Sequence, residues 1–204
     1  MLTANEIAII LEDAQVLESV QNLKNDFRKD EAPYLDISDH DFLSLIIMMP
    51  SISITLSSGD ISLLEEMALN KKARTISKGG HYLKKDPVVY AMSFLINNAS
   101  KWEDRFFQTI KLAMEKSFDK SLIDAESIDP SKVTDREFKK RLMNAPYMFI
   151  RFLHSFFWDD THEDLSDKRR ISKIEFKKVL EIGEKLDLSK TIIFRKFLDT
   201  FDVK

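Results

Sequence analysis

Six consecutive residues, Asp159-Asp160-Thr161-His162-Glu163-Asp164, each carry an oxygen or an imidazole nitrogen, and four of them are acids. A loop can gather such donors around a hard divalent cation. That makes Asp159, Asp160, His162 and Asp164 the candidate metal ligands of the chain. The plainer reading is a solvated loop that ends a helix. Acids gain nothing from the negative helix end they follow, and that mismatch keeps the metal alternative in play. Asp39-His40-Asp41 is a second ligand-like triplet, but acids in the first turn of a capped helix complement its positive end, which accounts for them. His81 and His154 stand apart from other chemistry-bearing residues. No Ser-His-acid or H-E-x-x-H spacing is present. The chain has no Cys, which excludes disulfides, thiolate metal sites and a cysteine nucleophile.

A basic region spans Lys71–Lys85, with Lys71, Lys72, Arg74 and Lys78 ahead of Gly79-Gly80. Glycine turns expose amides and basic side chains attract anions, so phosphate or nucleic acid could dock there. It is not a phosphate-binding loop of the G-K-[ST] type. A solvated basic loop is the preferred reading, and nucleic acid is not the expected partner. Lys139-Lys140-Arg141 and Lys168-Arg169-Arg170 read the same way.

The string I-S-x-x-E-F resembles the end of a calcium-binding EF-hand loop. Placing Glu175 at loop position 12 puts Lys168 at position 5 and Arg169 at position 6, where the loop needs an oxygen ligand and a glycine. Counting from Glu137 or Asp41 fails in the same way, with Pro130 or Tyr34 fifth. The same residues make good helix caps. A Ser or Thr hydroxyl accepts from the amide three residues on, the acid there reaches back, and flanking apolar residues staple the turn. The pattern recurs at Thr3/Glu6, Ser38/Asp41, Thr134/Glu137 and Ser172/Glu175, with a weaker copy at Ser100/Glu103. It predicts helices starting near residues 4, 39, 101, 135 and 173.

Pro87 sits where a first-turn proline belongs, ahead of Val88–Ile96. Asn144 and Pro146 open an aromatic helix over Tyr147–Trp158, with Phe149, Phe152, Leu153 and Phe156 on one stripe. Phe157 and Trp158 lie off that stripe and are candidates for a partner surface, a second buried face being the plainer account. Leu63–Leu69 follows a Ser58-Gly59-Asp60 turn as a helix, and Ser189 is placed to cap a last helix running through Phe201. Ile52-Ser53-Ile54-Thr55-Leu56 alternates like a strand. It has no evident partner and is read as an extended connection after Pro50.

These elements predict an all-α bundle of about nine helices, in one domain or in two similar lobes, 1–125 and 126–204, joined through Asp119–Lys132. Residues 133–142 and 171–180 share Glu, Phe, Lys, Lys and Leu in register, the mark of a repeated helical hairpin. Gly (4) and Pro (5) are too scarce for the tight turns of an all-β fold. A hydrophobic fraction of 44% is enough for a packed core.

Residues 171–189 read I-S-K-I-E-F-K-K-V-L-E-I-G-E-K-L-D-L-S, with Phe194 and Phe197 beyond. Over 171–200 the chain resembles the late helices of the tellurite-resistance TerB-like family, which carry a similar I-S-x-x-E helix and a Gly-containing helix ending in L-x-L-S. Where that family has an acidic residue and Gly before Ile-Ser, this chain has Arg169-Arg170. The resemblance therefore implies a helical, stress-related interaction module without the acidic metal site.

The net charge of −3 does not point to nucleic acid or a membrane surface. No apolar run reaches the ~18 residues of a membrane span, and Met1–Asn5 lacks the basic start of a secretory signal. The expectation is a cytoplasmic, non-enzymatic interaction or regulatory protein, with a protein partner or a homo-oligomer. No cofactor is expected; a divalent cation is the alternative.

Overall fold

In three helices the hydroxyl and the acid of the opening turn satisfy each other's amides. Thr3 with Glu6, Ser62 with Glu65 and Ser172 with Glu175 form reciprocal capping boxes. In each box the N-cap amide donates to the carboxylate at 2.7–2.9 Å. The computed structural model describes residues 2–79, 86–117 and 169–204. It shows helices α1 (Ala4–Ile10), α2 (Ala14–Asp30), α3 (Asp39–Ile47), α4 (Met49–Ser57), α5 (Leu63–Ile76), α6 (Pro87–Asn97), α7 (Ala99–Ser117), α8 (Lys173–Lys185) and α9 (Ile192–Leu198). Two short strands, β1 (Arg169–Ile171) and β2 (Phe201–Val203), pair in parallel, Arg169 opposite Phe201 and Ile171 opposite Val203. The chain is all-α in class, as its caps and composition predict.

At the centre lies α3, buried from Asp41 through Ile47 and packed by α1, α2, α5, α6 and α7. Phe27, Phe42, Trp102 and Phe106 form an aromatic cluster with ring centroids 5.1–6.2 Å apart. Tilted and edge-on contacts of this kind add to simple apolar burial. Together α3 and α4 make one stretch, Asp39–Ser57, long and apolar enough by composition to cross a membrane, and most of it is buried inside the bundle.

The C-terminal helices join the same core. Val179, Ile182, Leu186, Leu188 and Phe194 belong to one apolar cluster with residues of α1–α7, and α8 packs against α4. Charges clamp α8 to α7 at the rim: Lys178 Nζ lies 2.7 Å from Glu103 Oε1 and Lys185 Nζ 2.6 Å from Asp104 Oδ1. Lys111 pairs with Asp187 just past the end of α8.

Several predicted elements differ from the structure. Ile52–Leu56 is helical, not extended. Pro50 occupies the first turn of α4, where its missing N–H costs nothing. Thr55 Oγ1 donates back to the Ser51 carbonyl at 3.0 Å, so that hydroxyl is satisfied within the helix, whereas the buried Ser53 Oγ makes no hydrogen bond among the described residues. Ser100 is not a cap but lies inside α7, which follows α6 almost without a break. The carboxylate of Glu103 pairs with Lys178 instead. Ser189 does not cap the last helix. Leu188 N–H bonds the Gly183 carbonyl at 2.7 Å and Asp187 N–H the Glu184 carbonyl at 3.1 Å, with Asp187 at φ 56°. This Schellman closure carries the chain past Ser189. Thr191 caps α9 by accepting from Phe194 N–H, and the helix ends at Leu198, leaving Phe201 to β2. The predicted starts at Thr134 and Asn144, the Asp119–Lys132 linker, the Tyr147–Trp158 helix and residues 133–142 of the repeat lie outside the described residues.

Candidate interaction face

Helix α5 starts at the Ser62–Glu65 box and runs two turns past the predicted end at Leu69, to Ile76. It therefore takes up Lys71, Lys72 and Arg74, which are helical and not part of a loop. Lys72 Nζ donates to Ser51 Oγ at 2.8 Å, tying α5 to α4. Lys78 lies just beyond the helix, and its backbone N–H donates to Asp41 Oδ1 at 2.8 Å. Lys71, Arg74 and Lys78 are exposed. Bases at the negative end of a helix are stabilised by its dipole, which is the plainer account of that cluster.

The buried side of α5 is Leu69, Ala73 and Ile76. Helical periodicity puts Leu64, Met67 and Lys71 on the opposite side. There Leu63 is 72% exposed, Leu64 77% and Met67 60%. Ala68 is exposed between them. Large apolar side chains scattered singly over a surface are ordinary, whereas these three fall within two turns of one helix. The flanks carry charge in blocks. Asp60, Glu65 and Glu66 stand at the opening, and Lys71, Arg74 and Lys78 stand at the close.

This face escaped the sequence reading because Glu66 occupies the position of the second staple residue, so Ser62–Glu65 was not read as a cap. With the helix start fixed at Leu63, the wheel separates two apolar sides. The signal was therefore present in the residues.

The Asp39-His40-Asp41 triplet is brought into the core without forming a site. Asp39 accepts from Gln21 at 2.9 Å and Lys24 at 2.5 Å. His40 Nε2 bonds the Ala4 carbonyl at 2.8 Å, and the Asp41 carboxylate takes Lys78 N–H. Asp39 bonds two side chains of α2, His40 the Ala4 carbonyl and Asp41 the Lys78 N–H, so the three do not share one ligand position. His40 Nδ1 lies 3.4 Å from Asp41 Oδ1, an ion-pair separation rather than a good hydrogen bond. The Asp41 carboxylate raises the His40 pKa above the ordinary imidazole value against the opposing effect of burial, and the Ala4 carbonyl adds to the rise. Burial pushes Asp41 up, but the neighbouring His40 imidazole, the Lys78 N–H and Ser38 outweigh it and hold the carboxyl below its usual range.

No group of three or more His, Cys, Asp or Glu side chains is placed to hold a metal among the described residues. The candidate ligands Asp159, Asp160, His162 and Asp164 lie outside them, as do Phe157 and Trp158 and the Gly80–Lys85 end of the basic region.

Fold and face together define a helical bundle with a two-sided surface helix. No protein-family profile, curated protein or solved structure matches the chain.

Proposed function

We propose that this chain is a non-enzymatic helical interaction or regulatory protein that presents α5 to a protein partner. The observation that carries the reading is the exposure of Leu63, Leu64 and Met67 opposite the buried side of the same helix. Such residues leave water only when another surface covers them, and each is worth about 1.5–3 kcal/mol when fully buried. The side chains of Asp39, His40 and Asp41 are committed to structural bonds, in keeping with a binding role. The TerB-like resemblance of residues 171–200 points to the same kind of module.

A photoreactive phenylalanine analogue at position 64 of the full chain tests it in cells. A discrete protein adduct, absent when the analogue is at exposed Lys29 of α2 and lost with Met67→Glu, is the expected result. Equal labelling from positions 64 and 29 removes the basis for the proposal.

A further inference from the structure

His40 stands in the first turn of α3, and its ring is caught between two acceptors. Nε2 lies 2.8 Å from the carbonyl oxygen of Ala4, the first residue of α1. A carbonyl only accepts, so that contact needs a proton on Nε2. On the other side Nδ1 lies 3.4 Å from Asp41 Oδ1. It is buried and makes no hydrogen bond among the described residues. The carboxylate is pinned, because Lys78 N–H donates to the same oxygen at 2.8 Å. A neutral imidazole carries one N–H. With it on Nε2, a bare lone pair of Nδ1 faces a carboxylate. With it on Nδ1, a bare lone pair of Nε2 faces a carbonyl. The imidazolium alone serves both sides. We propose that His40 is a pH-sensitive clasp for α1: protonated, it ties the start of α1 to α3, and deprotonated, it lets that start go. The bond to Ala4 is the one that breaks, since a charged acceptor holds the remaining proton more strongly than a neutral one. Helix α1 has seven residues, too few to persist without its tertiary contacts. Among the described residues, the charged groups acting on His40 are Asp41, which favours the proton, and Lys78 beyond the end of α5, which opposes it together with burial. The positive end of α3 opposes it too. Gln21 and Lys24 of α2 are turned to Asp39 instead, and no charged group of α6 or α7 acts on the ring. The balance lies above 6.5, so the clasp is closed below that pH and opens as pH rises through the folded value.

Long-range proton–nitrogen NMR spectra of the full chain between about pH 5 and pH 9 read the ring directly. Both nitrogens should be protonated at the acid end, and the proton that survives the titration should sit on Nδ1. Amide exchange, corrected for the intrinsic rate at each pH, reads the consequence. Protection of Ile7 N–H, which donates to the Thr3 carbonyl, should fall about 10-fold or more across the His40 transition. Protection of Lys78 N–H, bonded to Asp41 in both states, should stay level. In His40→Gln the pH dependence at Ile7 should vanish. Asp41→Asn removes the charge that draws the proton to Nδ1, so the neutral ring keeps its proton on Nε2 and α1 should stay protected at alkaline pH. If that variant does not fold, the wild type and His40→Gln still decide the matter. A wild-type ring protonated on Nε2 at alkaline pH, or protection at Ile7 unchanged while His40 titrates, overturns the clasp. The same loss of protection in His40→Gln assigns it to another group, and an equal loss at Lys78 makes it a general loosening; either result also overturns it.

Discussion

Gly183 of α8 faces the ring of Phe194. A β-carbon at 183 would stand 2.3 Å from Phe194 Cε1 and 2.4 Å from Cζ. Phe194 is fully buried, so the ring has no open space to swing into. Glycine in mid-helix sacrifices about 1 kcal/mol of helix propensity relative to alanine, and here it leaves room for an aromatic ring. Gly183→Ala is expected to destabilise the fold by about 1–3 kcal/mol through overpacking, despite the propensity gain. Urea denaturation measures it, and Phe194→Leu in the same chain should recover part of the loss. Alanine at 183 matching the wild type would mean the ring yields freely.

The His40–Asp41 pair makes stability depend on pH from both sides. His40 titrates above its unfolded value of 6.5, so its contribution is complete below that pH and lost as pH rises through the higher folded value. Asp41 titrates below 3.8, so its contribution is present above that pH and lost as pH falls through the lower folded value. The pair is therefore most stabilising between these two limits. Denaturant midpoints of wild type and His40→Gln should converge as pH rises from mildly acidic to mildly alkaline. Parallel curves would rule out a raised His40.

Two neighbouring acids on α7 should differ in their cost. Glu103 meets Lys178 with side chains only 18% and 19% exposed, whereas Asp104 is 80% exposed beside Lys185. Half-buried pairs keep more of their attraction than exposed ones. Glu103→Gln is expected to cost on the order of 1–2 kcal/mol and Asp104→Asn under about 0.5 kcal/mol. Thermal unfolding at low and high salt compares them, with the reverse ranking as the contrary result.

The start of α5 is local enough to test by one atom. Ser62→Ala removes the acceptor for Glu65 N–H, and about 1 kcal/mol of stability should go with it. Hydrogen exchange localised to the first turn of α5 is the expected signature. No change there would make the box incidental.

Much of the helical layout was legible before any packing was known. Thr3, Ser38, Pro87 and Ser172 open helices where their types predict, because a helix start acts within four residues of itself and needs no distant partner. The basic residues Lys71, Lys72, Arg74 and Lys78 were also legible as a cluster, though as a loop and not as a helix end. Packing decided the rest. Ile52–Leu56 became helical where α7 and α8 could cover it, a contact across more than a hundred residues in the case of α8. Strands β1 and β2 exist only through each other, since a three-residue strand has no hydrogen-bond partner of its own. The same is true of the sides of α5: local pattern supplies two apolar stripes, and the neighbouring helices decide that Leu69, Ala73 and Ile76 are buried while Leu64 and Met67 face outward. Short-range bonds determine where a helix begins; which of its sides is hidden depends on surfaces that only the folded chain brings together.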